Sequence, residues 1–183
     1  MLYKDQLNRP IWAPWRIEYI LNARADDEDC FVCAAANAPD NDHENHVVRR
    51  GKEAFVILNR YPYNPGHVLV SPYRHVGDLT ELTPDERHEV FDLVVEAEGV
   101  IRTAMQPDGF NQGCNLGKVA GAGLEDHVHL HLVPRWNGDT NFMPVLGKVD
   151  CVPQALTAAA DLLREAWTGR LPAAGAQPDT PAS

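Results

Sequence analysis

His127-Val128-His129-Leu130-His131-Leu132-Val133 decides the reading of this 183-residue chain. Alternate side chains of a strand share a face, so the three histidines point one way while Val128, Leu130 and Leu132 point to a core. Three imidazoles in a row serve no packing purpose, because a polar ring buried without partners costs free energy. A solvated strand face, a metal site and a catalytic row all remain open on this pattern. A rise of ~3.3 Å per residue puts the Cα atoms of His127 and His131 ~13 Å apart, too far for one ion to hold all three comfortably. The row therefore carries at least two different jobs. A neutral imidazole suits attack on phosphorus, since one nitrogen can attack while the other carries the proton. A flanking histidine can then serve phosphate oxygens or the leaving group.

Outward from this row the elements alternate between strands and one strong helix. Strands are expected at Val47-Val48, Ala54 to Leu58 and His67 to Ser71, separated by the turns Arg50-Gly51-Lys52 and Tyr61 to Gly66. Thr83-Pro84-Asp85-Glu86 is a capping-box start with proline at the first helical position. Val90, Leu93, Val94, Ala97, Ile101 and Ala104 follow at helical spacing. Two further strands, Phe110 to Leu116 and His127 to Val133, flank a glycine-rich connection, and Pro134 is expected to end the second. A last helix is expected from about Pro153 to Trp167. The fold class is α+β: an antiparallel sheet of about five strands, one long helix and a C-terminal helix. Residues 1–45 are expected to be an irregular segment packed on the domain, 46–169 the domain itself, and 170–183 a disordered Pro/Ala-rich tail.

Composition narrows the class. Hydrophobic residues make up 44% of the chain, enough for a core, and the formal charge of −10 opposes a large affinity for nucleic-acid backbones. No stretch has the length of a membrane span and the start has no signal-peptide character, so a cytoplasmic setting with no membrane partner is expected. Four cysteines in such a protein do not make a disulfide framework. Cys30 and Cys33 form a CxxC pair suited to metal or redox chemistry, while Cys114 and Cys151 read as buried thiols.

The row His127-Val-His129-Leu-His131-Leu-Val133 resembles the signature of the histidine-triad family, His-φ-His-φ-His-φ-φ with φ apolar. Asn59-Arg-Tyr-Pro62-Tyr-Asn-Pro-Gly66-His67-Val-Leu-Val-Ser-Pro72 is similar to a second segment of that family at the expected distance upstream. The resemblance covers about Cys30 to Pro144. It implies that His129 is the nucleophile, His131 its phosphate-contacting neighbour and His67 a supporting histidine. It also implies that Asn59 binds the nucleotide ribose and that Asn115 lies beside the phosphates. In zinc-bearing members the ion is held by residues matching Cys30, Cys33, His75 and His127, a donor set suited to tetrahedral structural zinc. Magnesium would accompany the substrate, and a homodimer joining two sheets is implied.

The chain departs from the family at Gly123 and Leu124, where many members place a hydroxyl residue. Backbone amides of the Gly117 to Gly123 segment, Gly121 and Gly123 included, are expected to substitute at the phosphate. The segments Pro134 to Pro144 and Trp12-Ala-Pro-Trp15-Arg16 look like the branch related to diadenosine tetraphosphate phosphorylases and hydrolases. The expected activity is attack on the α-phosphate of a dinucleoside polyphosphate through a nucleotidyl-histidine, released to water or orthophosphate. The alternatives are an adenosine phosphoramidase and a non-catalytic nucleotide-binding module.

Overall fold

The computed structural model describes residues 30–139 and 155–169. Five antiparallel strands, β1 (Val47–Arg50), β2 (Ala54–Leu58), β3 (Val68–Pro72), β4 (Gly109–Gly113) and β5 (Leu130–Arg135), form one sheet in the order β1-β2-β3-β5-β4. The helices are α1 (Phe31–Ala36), α2 (Pro84–Met105) and α3 (Leu156–Trp167). The expected α+β class and strand count are both present. The N-terminal aromatic segment, Cys151 and the Pro/Ala-rich tail lie outside the described residues.

Strand alternation divides the sheet into two faces. Val48, Val56, Leu58, Val68, Val70 and Leu132 meet Val90, Leu93, Ala97 and Ile101 of α2 and Ala159 and Leu163 of α3 in the main core. On the opposite face Val47, Phe55, Ile57 and Leu69 bury Val32 and Ala35 of α1. Leu69 pairs with His131, so the histidine face is also the face that α1 covers in part. Burying each such aliphatic side chain stabilises by ~1.5–3 kcal/mol, which is what fixes the register.

The start of α2 follows its sequence signal: the Thr83 hydroxyl accepts from the Glu86 N–H, and the Glu86 carboxylate accepts from the Thr83 N–H. Glu86 also takes a two-pronged ion pair from Arg74 at 2.6 and 2.7 Å, which ties the loop carrying His75 to the helix start. The Arg74 guanidinium, together with these N–H bonds, holds the Glu86 carboxyl down at about 2. A carboxyl depressed in the folded state adds stability above its unfolded pKa of about 4.3, and that stability is lost as pH falls toward 2. Glu86→Gln is expected to cost ~2 kcal/mol near neutral pH, after allowance for the half-exposed Arg74, and almost nothing near pH 2. Urea unfolding of both proteins across that range checks it; an unchanged gap at both ends would contradict the assignment.

Beyond shifts of one or two residues at β1 and β3, the differences from expectation are these. The strand expected over His127 to Val133 runs instead over Leu130–Arg135. Before Leu130 the ladder gives way: the Val128 N–H donates to the Val76 carbonyl and the Val128 carbonyl accepts from the Ser71 hydroxyl, so His127 leaves the sheet toward Cys30 and Cys33. Pro134 does not end the strand. Its carbonyl accepts from Asn64 Nδ2, past the last β3–β5 pair at Val68 and Leu132, so the missing N–H falls where no ladder bond is due. Likewise β4 stops at Gly113, opposite His131, rather than at Leu116. Finally, residues 30–45, expected to be irregular, contain α1 and a 3-10 turn at Pro39–Asn41.

Candidate active site and metal centre

Two constellations grow from the histidine face, one at each end of the row. At the first, His127 is fully buried and its Nε2–H donates to the Pro72 carbonyl at 2.9 Å. That bond leaves Nδ1 with its lone pair, and burial, the dominant cause, pushes the ring down to about 4, so it is neutral at pH 7. Nδ1 sits 3.3 Å from both Cys30 Sγ and Cys33 Sγ, and Cys33 Sγ sits 3.2 Å from His75 Nδ1. All four ligand atoms lie within 4.8 Å of one another. Bonds of ~2.3 Å to sulfur and ~2.0 Å to nitrogen would set tetrahedral ligand edges near 3.5 Å, so modest shifts of these side chains would admit an ion. The Pro72 carbonyl is the outer partner that orients a metal-bound imidazole. This cluster can hold a metal.

Local sequence explains the convergence. Cys30 caps α1, with its sulfur accepting from the Cys33 N–H at 3.4 Å, so both thiols lie on the first turn. Burial, and then the neighbouring Cys30, push the Cys33 thiol up to about 11. A cation among the four groups would reverse that preference and favour thiolates.

At the second constellation the hydrogen bonds assign tautomers along a chain. The Tyr63 N–H donates to His67 Nδ1 at 3.1 Å, so His67 carries its proton on Nε2. Nε2–H then donates to His131 Nδ1 at 3.0 Å, so His131 carries its own proton on Nε2. Separately, His129 Nδ1–H donates to the His127 carbonyl at 2.8 Å, so its Nε2 is the ring nitrogen without the proton. The His129 and His131 rings meet edge to face, 4.9 Å between centroids. One row thus presents a lone pair and an N–H donor side by side, the pairing that phosphoryl chemistry needs.

Asn59 lies against His67, its Nδ2 3.3 and 3.4 Å from the two ring nitrogens, while its Oδ1 accepts from the Tyr61 N–H. Asn115 lines an open cleft of about 220 Å3 with Tyr63, Asn111, Gly113, His131 and Val133. The β4–β5 pairing ends at Gly113 opposite His131, two residues before Asn115. Gly121 is differently engaged: its N–H donates to the Lys118 carbonyl, and the Ala120 and Ala122 N–H groups go to the Gly117 carbonyl, so these amides serve the turn itself. Gly123 is not among the cleft residues. Cys114, expected to be a buried thiol, is only partly buried and borders the cleft.

Sequence reasoning missed Tyr63, whose ring stacks on His67 with centroids 5.0 Å apart and whose N–H sets the chain of tautomers. An aromatic residue within the turn four positions before His67 was the available signal. It missed Ser71 and the Pro72 carbonyl as well, for which no sequence signal exists, because their roles depend on the exit of His127 from the sheet.

Against known proteins, a profile of the HIT domain matches residues 40–138. The chain is 41% identical over 169 residues to a Mycobacterium tuberculosis protein named AP-4-A phosphorylase, covering 90% of this chain and 86% of that one. It is 37% identical over 95 residues to the Schizosaccharomyces pombe bis(5'-nucleosyl)-tetraphosphatase (asymmetrical), covering 52% of each. Among solved structures, a Zn-bound histidine triad family protein from Mycobacterium smegmatis superposes with a TM-score of 0.62 at 28% identity, covering 77% of this chain and 94% of that one. Among the described residues no helix is long and apolar enough to cross a membrane.

Proposed function

Because the chain belongs to the HIT-domain family, we propose that it is a nucleotidyl transferase that cleaves dinucleoside polyphosphates of the diadenosine tetraphosphate kind at an α-phosphate and releases the nucleotide to orthophosphate. The observation that carries this reading is the bond from His129 Nδ1–H to the His127 carbonyl, with a His131 N–H donor beside it. His129 Nε2 attacks the α-phosphorus, a P–N bond forms, and the P–O bond to the bridging oxygen breaks. The departing nucleoside polyphosphate takes the electron pair. His131 Nε2–H, held by His67, stabilises the charge that develops on oxygen. In the second step an orthophosphate oxygen attacks the same phosphorus, the P–N bond breaks, and His129 is restored. Orthophosphate yields ADP, whereas water as acceptor would yield AMP. The similarity to a protein named a phosphorylase supports orthophosphate. Asn59 and Asn115 serve as nucleotide contacts, and backbone amides near Gly121 and Gly123 would reach the phosphates only if the turn rearranged.

Cys30, Cys33, His75 and His127 are read as a structural zinc site. Zinc there would supply a crosslink between α1, the loop after β3 and the start of the histidine row, and no catalytic step passes through it. The soft donor set does not suit magnesium, which would arrive only with the polyphosphate. The reading includes a homodimer and a cytoplasmic setting.

Incubation with diadenosine tetraphosphate with and without orthophosphate tests the acceptor. Equal ADP and ATP, dependent on phosphate, is the expected outcome. AMP and ATP formed without phosphate would make the protein a hydrolase, and failure to turn over this substrate alongside rapid cleavage of an adenosine phosphoramidate would overturn the reading.

A further inference from the structure

Gly113 is a glycine without a backbone reason. It lies in an edge strand, where glycine weakens the element, and its φ is not in the left-handed region. A Cβ built on it would meet no atom within 4 Å, in contrast to Gly51, where it would meet the Glu89 carboxylate at 2.7 Å, and Gly66, where it would meet Met105 at 2.5 Å. Gly113 stands directly across the ladder from His131, so the missing side chain leaves open space beside the phosphate-contacting ring. That space is the cleft of about 220 Å3. Glycine at such a position marks the close approach of a ligand or of another backbone.

The chemistry of the walls selects the ligand. A pocket for an entire drug-sized ligand runs to ~300–1,000 Å3, so this cleft suits one ring system. No lysine or arginine lines it, whereas a phosphate chain would call for cations. Tyr63 offers an aromatic wall, and Asn111 and Asn115 offer carboxamides. The Oδ1 of Asn111 already accepts from Arg135 Nη1 at 2.7 Å, which leaves its amide N–H groups as the donors. Stacking plus carboxamide hydrogen bonds is the chemistry that recognises a nucleobase. The sheet order places β3, preceded by His67 with Asn59 against it, on one side of β5 and the β4 wall of the cleft on the other.

We propose that this cleft holds the nucleobase of the departing half of the dinucleotide, and that Gly113 is the specificity-determining residue that keeps it open. This rests on the reaction proposed at His129, with the retained ribose on the Asn59 side. Valine suits a strand and its Cβ would meet no atom within 4 Å, so Gly113→Val should fold with its branched side chain on the cleft side of β4.

The test is calorimetric binding of diadenosine tetraphosphate and of AMP to His129→Ala, which cannot turn over the dinucleotide, and to the same protein carrying Gly113→Val. Gly113→Val is expected to weaken the dinucleotide at least tenfold and AMP less than twofold. Equal weakening of both ligands, no weakening of either, or a change in oligomeric state by light scattering in place of the ligand effect would overturn it. Turnover of the dinucleotide by the otherwise unaltered chain is measured separately. Selective weakening without any turnover would sink the reaction but keep the subsite, and turnover without selective weakening would sink the subsite alone.

Discussion

His129→Ala is expected to lose turnover of diadenosine tetraphosphate by at least ~10^4-fold while keeping the fold. The loss is large because His129 is the proposed nucleophile: its Nδ1–H donates to the His127 carbonyl, which places the ring proton away from Nε2, while His131 Nδ1 accepts from His67 and His127 turns toward the cysteines. On the proposed mechanism its removal also removes the covalent route, so no neighbouring group takes over at a comparable rate. The fold is expected to survive because Leu132 and Val133 of β5 and the preceding Val128 are buried independently of it, while the His129 side chain bonds the nearby His127 carbonyl. His131→Ala removes a donor rather than the nucleophile and is expected to cost ~10^2–10^3-fold. Circular dichroism beside steady-state rates checks both. His129→Ala activity within tenfold of the parent would remove the nucleophile from the account.

Cys33→Ser, or exhaustive chelation of the parent, carries the largest expected effect on stability, a loss of ~3–5 kcal/mol and a fall in Tm of ~10 °C. Four groups from three separate parts of the chain, α1, the loop after β3 and the start of the histidine row, meet at this cluster. Without an ion the fully buried His127 and two sulfurs remain with weak S···N contacts at 3.2–3.3 Å. The main core under α2 and α3 is independent of them, so the protein should loosen at α1 before it unfolds as a whole. Metal analysis should find about one zinc per chain in protein purified without added metal. Under ~0.2 zinc per chain, with Tm unmoved by chelation, would contradict the site.

Much of this was legible in the sequence because it was local. The Thr83-Pro84-Asp85-Glu86 cap, the helical spacing from Val90 to Ile101 and the alternation of His127 to Val133 each follow from dihedral preference and burial alone, and each is present or nearly so. Boundaries set by distant partners were not legible. Whether β5 begins at His127 or Leu130 depends on the Ser71 hydroxyl and the Val76 carbonyl, more than 50 residues upstream. Pro134 reads as a terminator until Asn64 is known to take its carbonyl. In the site, the family resemblance named the histidines and cysteines, but the direction of each proton followed only from their partners. Tyr63 and Gly113 carry no motif, and their significance appears only when the Tyr61–Gly66 turn and β4 are seen to flank His131.

The division of labour along the row is tested most directly by trapping the intermediate. The protein is mixed with diadenosine tetraphosphate in the absence of orthophosphate, quenched in alkali within the first turnover, digested, and examined by mass spectrometry. The account predicts AMP on the peptide that contains His127 to His131, attached at His129 and discharged as ADP when orthophosphate is added before the quench. Turnover with no adduct at any time, or AMP attached at His127 or His131, would contradict it.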